Sequence, residues 1–333
     1  MVSSMTPLFG KIVVTGGAGF IGSHFIDLVL SKQLAEKIII VDNLSSGSRK
    51  NISHHLETNK VELVVADLKN FDRGWVNKFR DAEAVVHLAA NPEVRISSIE
   101  PRVHFNENVV ATFNVLEASR LNDVKVHLFA SSSTVYGVAK VFPTPETYPY
   151  EPISVYGASK AACEILYRTY HSLYGFSVAI ARYANIIGPR SSHGVIIDFI
   201  NKLKKNPTIL EILGDGTQKK SYLYVQDAVE ATMLLLKHSK EVKGYHVFNV
   251  GNDDWLTVKE IADIVVEEMG LKNVRYIFKP VTPDGGGWPG DVKFMLLDIT
   301  KIKTMGWKPL LRSAEAVRRT VREILRGCSG PAT

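Results

Sequence analysis

Residues 11–22 read KIVVTGGAGFIG, a β-branched apolar run that stops at glycine and continues as a helical stretch. No other feature constrains the chain as strongly. A strand that turns directly into a helix is half of a crossover unit, and the next strand then lies parallel to the first. The pattern repeats. KIIIVD (37–42), VELVVA (61–66), AVVHLAA (84–90), VKVHLFAS (124–131) and SVAIARY (177–183) have strand length and composition. Helix-length segments such as FIGSHFIDLVLSK and VHFNENVVATFNVLEASR separate most of them. Continuous rather than alternating apolarity marks strands covered on both faces. The expected fold class is α/β, a doubly wound parallel sheet.

The second half is less regular. FPTPETYPYEP (142–152) holds four prolines and reads as a loop. A helix of spaced apolar residues follows over 156–174. Beyond it come a helix (IIDFINKLKKN), a strand passing into a helix (SYLYVQDAVEATMLLLKHS) and a strand (YHVFNVG). A helix over 257–268 has Thr257 as N-cap and Glu260 at the capping-box position. DGGGWPGD (284–291) is a loop, and 313–326 a terminal helix. The expected division is 10–184 plus 217–250 for the large sheet, and 185–216 plus 251–328 for a smaller C-terminal α/β lobe.

The 333 residues carry a net charge of +6, with basic residues scattered in pairs such as Lys204-Lys205, Lys219-Lys220 and Arg318-Arg319. A nucleic-acid binder concentrates its charge on one element, so no nucleic-acid partner is expected. A small anionic ligand suits a mild surplus. The two cysteines, Cys163 and Cys328, form neither a disulfide framework nor a zinc spacing. No apolar run approaches the ~18–20 residues that span a bilayer. The opening MVSSMTPLFG lacks the apolar core of a secretory signal and reads as a loose leader. A cytoplasmic protein away from membranes, without a metal, is the expectation.

Gly16, Gly19 and Gly22 are spaced by three, and Gly17, Gly19 and Gly22 also satisfy G-x-G-x-x-G. A strand precedes them, a helix starts near Phe20, and Asp42 ends the second strand 20 residues beyond Gly22. Together these are the parts of a dinucleotide cradle of the Rossmann type. The glycines let backbone N–H groups approach a pyrophosphate, at a helix N-terminus that favours negative charge. Asp42 accepts hydrogen bonds from ribose hydroxyls and repels a 2′-phosphate, which favours NAD over NADP. Asp67, ending the third strand, is either an adenine contact or a strand-end turn residue. The small residues of HLAA (87–90) leave room for the cofactor, and His87 is expected to be packed rather than reactive.

Two Tyr-x-x-x-Lys pairs occur, Tyr136/Lys140 and Tyr156/Lys160. The first lies between a glycine and the proline-rich loop, where no helix holds its members together. The second straddles the start of a helix, where residues four apart share a face. Such a pair suits proton abstraction from a hydroxyl undergoing oxidation. A free phenol titrates near ~10, and lowering it by about three units requires ~4 kcal/mol of preference for phenolate. A fixed ammonium and a positive nicotinamide can supply that. The serine run ASSSTVYG (130–137) ends the fifth strand on the ligand side of such a sheet. It is either a turn former or the holder of the substrate oxygen.

In this order and at these distances, the blocks VTGGAGFIGSH, VDNLSSG, HLAA, SSSTVYG, YGASK, RYANIIGPR, GDGTQKKSYLYVQDAVEA and PGDV resemble the extended short-chain dehydrogenase/reductase family over nearly the whole chain. Within it the likeness is strongest to archaeal-type UDP-galactose (UDP-glucose) 4-epimerases. The resemblance implies a catalytic set of Ser132, Tyr156 and Lys160. It implies NAD contacts at Gly16, Gly19, Phe20, Ile21, Gly22, Asp42, Asn43, Ser46, Gly47, Asp67, Leu68, Leu88, Ala89, Ala90, Asn108 and Tyr183, besides Tyr156 and Lys160. It implies UDP-sugar contacts at Ser132, Asn185, Val195, the 211–213 stretch and Lys220. The implied reaction inverts C4 through a transient 4-keto sugar with tightly held NAD, in a homodimer built on the helices near 99–119 and 156–174.

The same comparison narrows the chemistry. Family dehydratases carry Asp-Glu after the catalytic Thr, and decarboxylases a Glu before VYG. Here Ser133 and Thr134 stand there, and neither acts as a carboxylate. An epimerase of another UDP-sugar, with an N-acetylhexosamine or glucuronate, and a nucleotide-sugar ketoreductase or dehydrogenase remain as alternatives. Two family arginines are missing. Lys220 replaces one, and 284–288 read DGGGW where the other is expected. Lysine keeps the charge but loses bidentate phosphate binding, and Arg190 or Lys219 is a candidate to compensate. The residue at the sugar gate is Met295, neither the large Tyr nor the small residue that the family uses to set sugar choice.

Overall fold

The computed structural model describes residues 7–328. Its first six strands are β1 (Phe9–Thr15), β2 (Ala35–Asp42), β3 (Val61–Val65), β4 (Ala84–His87), β5 (Val126–Ser132) and β6 (Ser177–Tyr183). Then come β7 (Asn185–Ile187), β8 (Ile209–Leu213), β9 (Lys219–Lys220), β10 (Tyr222–Tyr224), β11 (Tyr245–Val250), β12 (Leu256–Thr257), β13 (Arg275–Lys279) and β14 (Phe294–Met295). Seven of these form one parallel sheet in the order β11-β6-β5-β4-β1-β2-β3. The order reverses between β1 and β4, so the crevice at their carboxyl ends is the place where such a sheet binds ligands. Strands β4 and β6 are buried along their whole length. That burial on both faces is what the continuous apolar runs require. Part of the expected leader belongs to the sheet, because Phe9 starts β1 and is buried. Residues 1–6 of that leader lie outside the described residues.

The remaining strands make small sheets. β10 pairs β7, β9 lies between β12 and β14, and β13 pairs β8. Residues 219–224 thus pair with β7, β12 and β14, while the Val225–Glu241 helix packs on the large sheet and β11 joins it. One apolar core runs from β1 through the Val225–Glu241 helix into Ile212, Ile261 and Val321 of the lobe. The two parts are thus joined by packed side chains.

Local chemistry explains the key helix boundaries. Ser154 accepts a hydrogen bond from the Gly157 N–H at 3.0 Å and opens the Val155–Tyr174 helix. Gly175, at φ 69°, closes it in the left-handed conformation. The Thr257/Glu260 capping box forms as expected. The helix expected through 103–120 is interrupted: Arg102–His104 is α, Phe105–Val110 is a wide π turn, and Ala111–Leu121 resumes α. Periodicity alone does not distinguish one extra residue per turn from a regular helix.

Candidate active site

A cavity of about 690 Å³ opens over the carboxyl ends of β1, β4, β5 and β6 and extends under the lobe. One end is the glycine cradle. Gly16 has φ +69°, and a Cβ there would lie 2.7 Å from the Ala89 N–H nitrogen. A Cβ on Gly22 would lie 2.3 Å from the Gly16 carbonyl oxygen. The cradle therefore admits no side chain at either point, which leaves its backbone open to a phosphate. Gly22→Ala is expected to force the helix away from the turn, an overpacking cost of about 1–3 kcal/mol. The protein should then lose affinity for the expected NAD roughly tenfold or more. The NAD content of purified protein checks this, and full retention would contradict it.

Gly19, Phe20, Ile21, Asp42, Asn43, Ser46, Asp67, Leu68, Leu88, Ala89 and Ala90 also line this half. Asp42 is nearly buried and accepts N–H bonds from Ala18 at 2.9 Å and Leu44 at 2.8 Å. Burial pushes its carboxyl pKa up, and those two N–H groups hold it down. Two expected contacts lie outside the wall. Gly47 packs against the cradle from behind, where a Cβ would meet Ala18 at 2.9 Å. Asn108 is fully buried, accepting from the Asn91 N–H and donating to Ser159. Because Ser159 in turn donates to the Tyr156 carbonyl, Asn108 braces the helix from outside the cavity.

Ser132, Tyr156 and Lys160 meet at the middle of the cavity. Ser132 caps the turn Ser133–Tyr136, accepting from the Thr134 N–H at 3.2 Å and hydroxyl at 3.0 Å. It also faces the Tyr156 phenol closely enough to favour its ionised form. The serine thus forms the turn and also lines the cavity. The ammonium of Lys160 is buried, donates to the Ala130 carbonyl at 2.8 Å, and sits 5.9 Å from the Tyr156 ring centre. Burial drives the Tyr156 pKa up to about 12, with Ser132 pulling the other way. Burial also drives Lys160 down to about 8. The protein's side chains alone therefore leave the phenol protonated at neutral pH, because the ammonium is turned toward a carbonyl. The pocket stores the desolvation that a bound cation would reverse.

The second Tyr-x-x-x-Lys pair comes apart. Tyr136 is buried and donates to Asn249 at 2.7 Å, whereas Lys140 is exposed. His87 is packed between Thr15 and Thr112 hydroxyls, and burial lowers its pKa to about 3.

Tyr183, Asn185, Val195, Lys220, Leu213 and the gate residue Met295 line the far half. Tyr183 shares a hydrogen bond with Thr232, and Asn185 donates to the Ser221 carbonyl. Lys220 is paired with Asp291 at 2.7 Å. Neither candidate for the missing arginines reaches the cavity: Arg190 is paired with Asp27, and Lys219 lies over Trp255. Sequence reasoning missed Lys69, Glu93, Arg95, His193 and Trp288, all in the wall. Arg95 pairs with Glu93 and lies 5.9 Å from the Trp288 ring centre, while Lys220 lies 5.4 Å from the same ring. The one available signal was an aromatic residue inside the glycine-rich loop 284–291.

Residues 12–251 match the model of the NAD dependent epimerase/dehydratase family. The chain belongs to that family. The cradle, the acidic residue closing β2 and the Ser-Tyr-Lys cluster fit NAD on this chain's own geometry. A solved UDP-galactose 4-epimerase is 48% identical, with a TM-score of 0.84 over 95% of this chain and 99% of that one. The UDP-glucose 4-epimerase of Thermus thermophilus, solved in complex with NAD, is 33% identical at a TM-score of 0.82, covering 95% of this epimerase-family chain and 99% of its own. The UDP-glucose 4-epimerase of Mycolicibacterium smegmatis is 32% identical over 318 residues, 93% of this chain and 97% of that one.

Proposed function

We propose that this epimerase-family protein interconverts UDP-glucose and UDP-galactose. The reading rests on one observation above all: Ser132, Tyr156 and Lys160 converge beside a dinucleotide cradle, with no carboxylate at positions 133 and 134. Bound NAD supplies the hydride acceptor and donor, and its positive nicotinamide favours phenolate. Ser132 orients the sugar O4. Tyr156 takes the O4 proton and later returns it to the same oxygen on the inverted centre. Lys160 holds positive charge beside the phenolate at neutral pH, because its pKa of about 8 leaves it mostly protonated. Asn185, Val195 and Lys220 hold the nucleotide diphosphate while the sugar turns. Arg95 adds a second cation on this wall, each of the two being paired with a carboxylate, Lys220 with Asp291 and Arg95 with Glu93.

The cofactor-holding unit in this reading is 10–184 plus 217–250, and the sugar-holding lobe is 185–216 plus 251–328. Apolar side chains exposed on the helices Ala111–Leu121 and Val155–Tyr174, among them Phe113, Leu121, Ile165 and Leu173, support a homodimer. Among the described residues no helix is long and apolar enough to cross a membrane, and we place the enzyme in the cytoplasm. The test is incubation with UDP-galactose and no added NAD. Conversion to UDP-glucose is expected, because oxidation and reduction cancel over one cycle. Absence of conversion even with NAD supplied would refute it, and preferential conversion of UDP-N-acetylgalactosamine would move the substrate.

A further inference from the structure

Among the described residues, one trio outside the cavity brings metal-ligating atoms together: Asp27, His54 and His55. Asp27 lies on the Phe20–Ser31 helix that begins at the cradle, and the histidines on the short Ser53–Leu56 turn. Both imidazoles aim Nε2 at the same carboxylate oxygen, Asp27 Oδ1, at 3.1 Å from His54 and 2.6 Å from His55. The other oxygen, Oδ2, is held by the Arg190 guanidinium at 2.8 Å. Arg190 itself has φ +66°, a left-handed backbone that non-glycine residues seldom adopt.

We propose that these three side chains form a binding site for a divalent transition metal ion. Zinc bonds nitrogen and oxygen at about 2.0–2.2 Å, so neighbouring ligand atoms in a tetrahedral shell stand about 3.3 Å apart. The distances to Oδ1 of 3.1 and 2.6 Å fall short of that by about 0.2 and about 0.7 Å, which side-chain rotation at a partly exposed site absorbs. The fourth position faces solvent, since His54 is half exposed. Arg190 plays the outer part that orients a ligating carboxylate: it occupies Oδ2 and leaves Oδ1 as the single coordinating atom. Its positive charge offsets the negative charge of Asp27. The site's affinity then rests on imidazole nitrogen, which favours zinc, cobalt or nickel over magnesium or calcium. Binding moves each Nε2 lone pair onto the ion, with the imidazole proton carried on Nδ1. The ion would tie the 53–56 turn to the cradle helix, and through Arg190 to the segment that leads into the cavity wall at 191–195.

The test uses tag-free full-length protein, stripped with a chelator and titrated with Zn²⁺ or Co²⁺. The expected result is one saturable equivalent, visible absorption bands from four-coordinate Co²⁺, and a Zn²⁺-dependent rise in the unfolding midpoint that excess Mg²⁺ does not reproduce. The His54→Ala/His55→Ala double variant should bind at least a hundredfold more weakly while keeping its basal activity, since neither residue touches the cavity. The Co²⁺ spectrum needs no variant, so the proposal is tested even if the variant folds poorly. It is overturned by no saturable equivalent in the wild type, by equal binding in the double variant, or by Mg²⁺ competing on equal terms.

Discussion

Tyr156→Phe is expected to lower the rate of epimerisation by about 10²–10⁴-fold, the contribution typical of a positioned general base. The phenol is the only group of the central cluster able to take and return the O4 proton. Ser132 lacks a charged partner, its oxygen being engaged by the N–H and hydroxyl of Thr134. Lys160 donates to the Ala130 carbonyl at 2.8 Å and is protonated at neutral pH, so it has no free lone pair. Removing one oxygen leaves the ring in place, stacked edge-on against His104 at 5.5 Å. The variant should therefore fold, keep its NAD and bind UDP-sugar with little change in KM. Steady-state kinetics with UDP-galactose decide the matter, and a variant within threefold of wild type would remove Tyr156 from the chemistry.

Glu164→Ala should cost about 3–5 kcal/mol of folding stability, the loss expected when one member of a buried ion pair is removed. Glu164 is fully buried one turn after Lys160 and pairs with Arg182 of β6, with its Oε2 at 2.7 Å from the guanidinium. It also accepts from the hydroxyls of Ser131 and Tyr150. Arg182 continues the network to Tyr136 and the Glu146 carbonyl, both at or near the proline-rich loop. Truncation leaves a buried guanidinium without its counter-charge and unties helix, strand and loop at once. Glu164→Gln keeps the shape and one acceptor and should cost less. Urea denaturation of both variants gives the answer; a loss below about 1 kcal/mol for the alanine variant would mean that water relieves the stranded charge.

The cradle, Asp42 and the Tyr156/Lys160 pair were legible in the chain because each is local. A strand, a turn and a helix follow one another within fourteen residues, from Phe9 to Gly22. Four residues along a helix return to the same face, so Lys160 follows Tyr156 there. Apolar runs report burial on both faces because every residue of a central strand is covered. The rest was decided by tertiary structure. Ser132 meets Tyr156 only because the strand β5 and the Val155–Tyr174 helix lie side by side, with the proline-rich loop between them in sequence. The orientation of Asn108, expected as a cofactor contact, is set by the Asn91 corner and Ser159, which no local pattern in the sequence announces. Tyr136, already set aside in the sequence because no helix joins it to Lys140, has partners that only the fold reveals, Asn249 and Arg182, both distant in sequence. Arg95 and Trp288, far apart in sequence, line one wall. Contacts of that kind leave no period in a sequence. They arise when packed elements bring distant residues within hydrogen-bonding reach, where burial makes each unpaired polar group costly enough to select its partner.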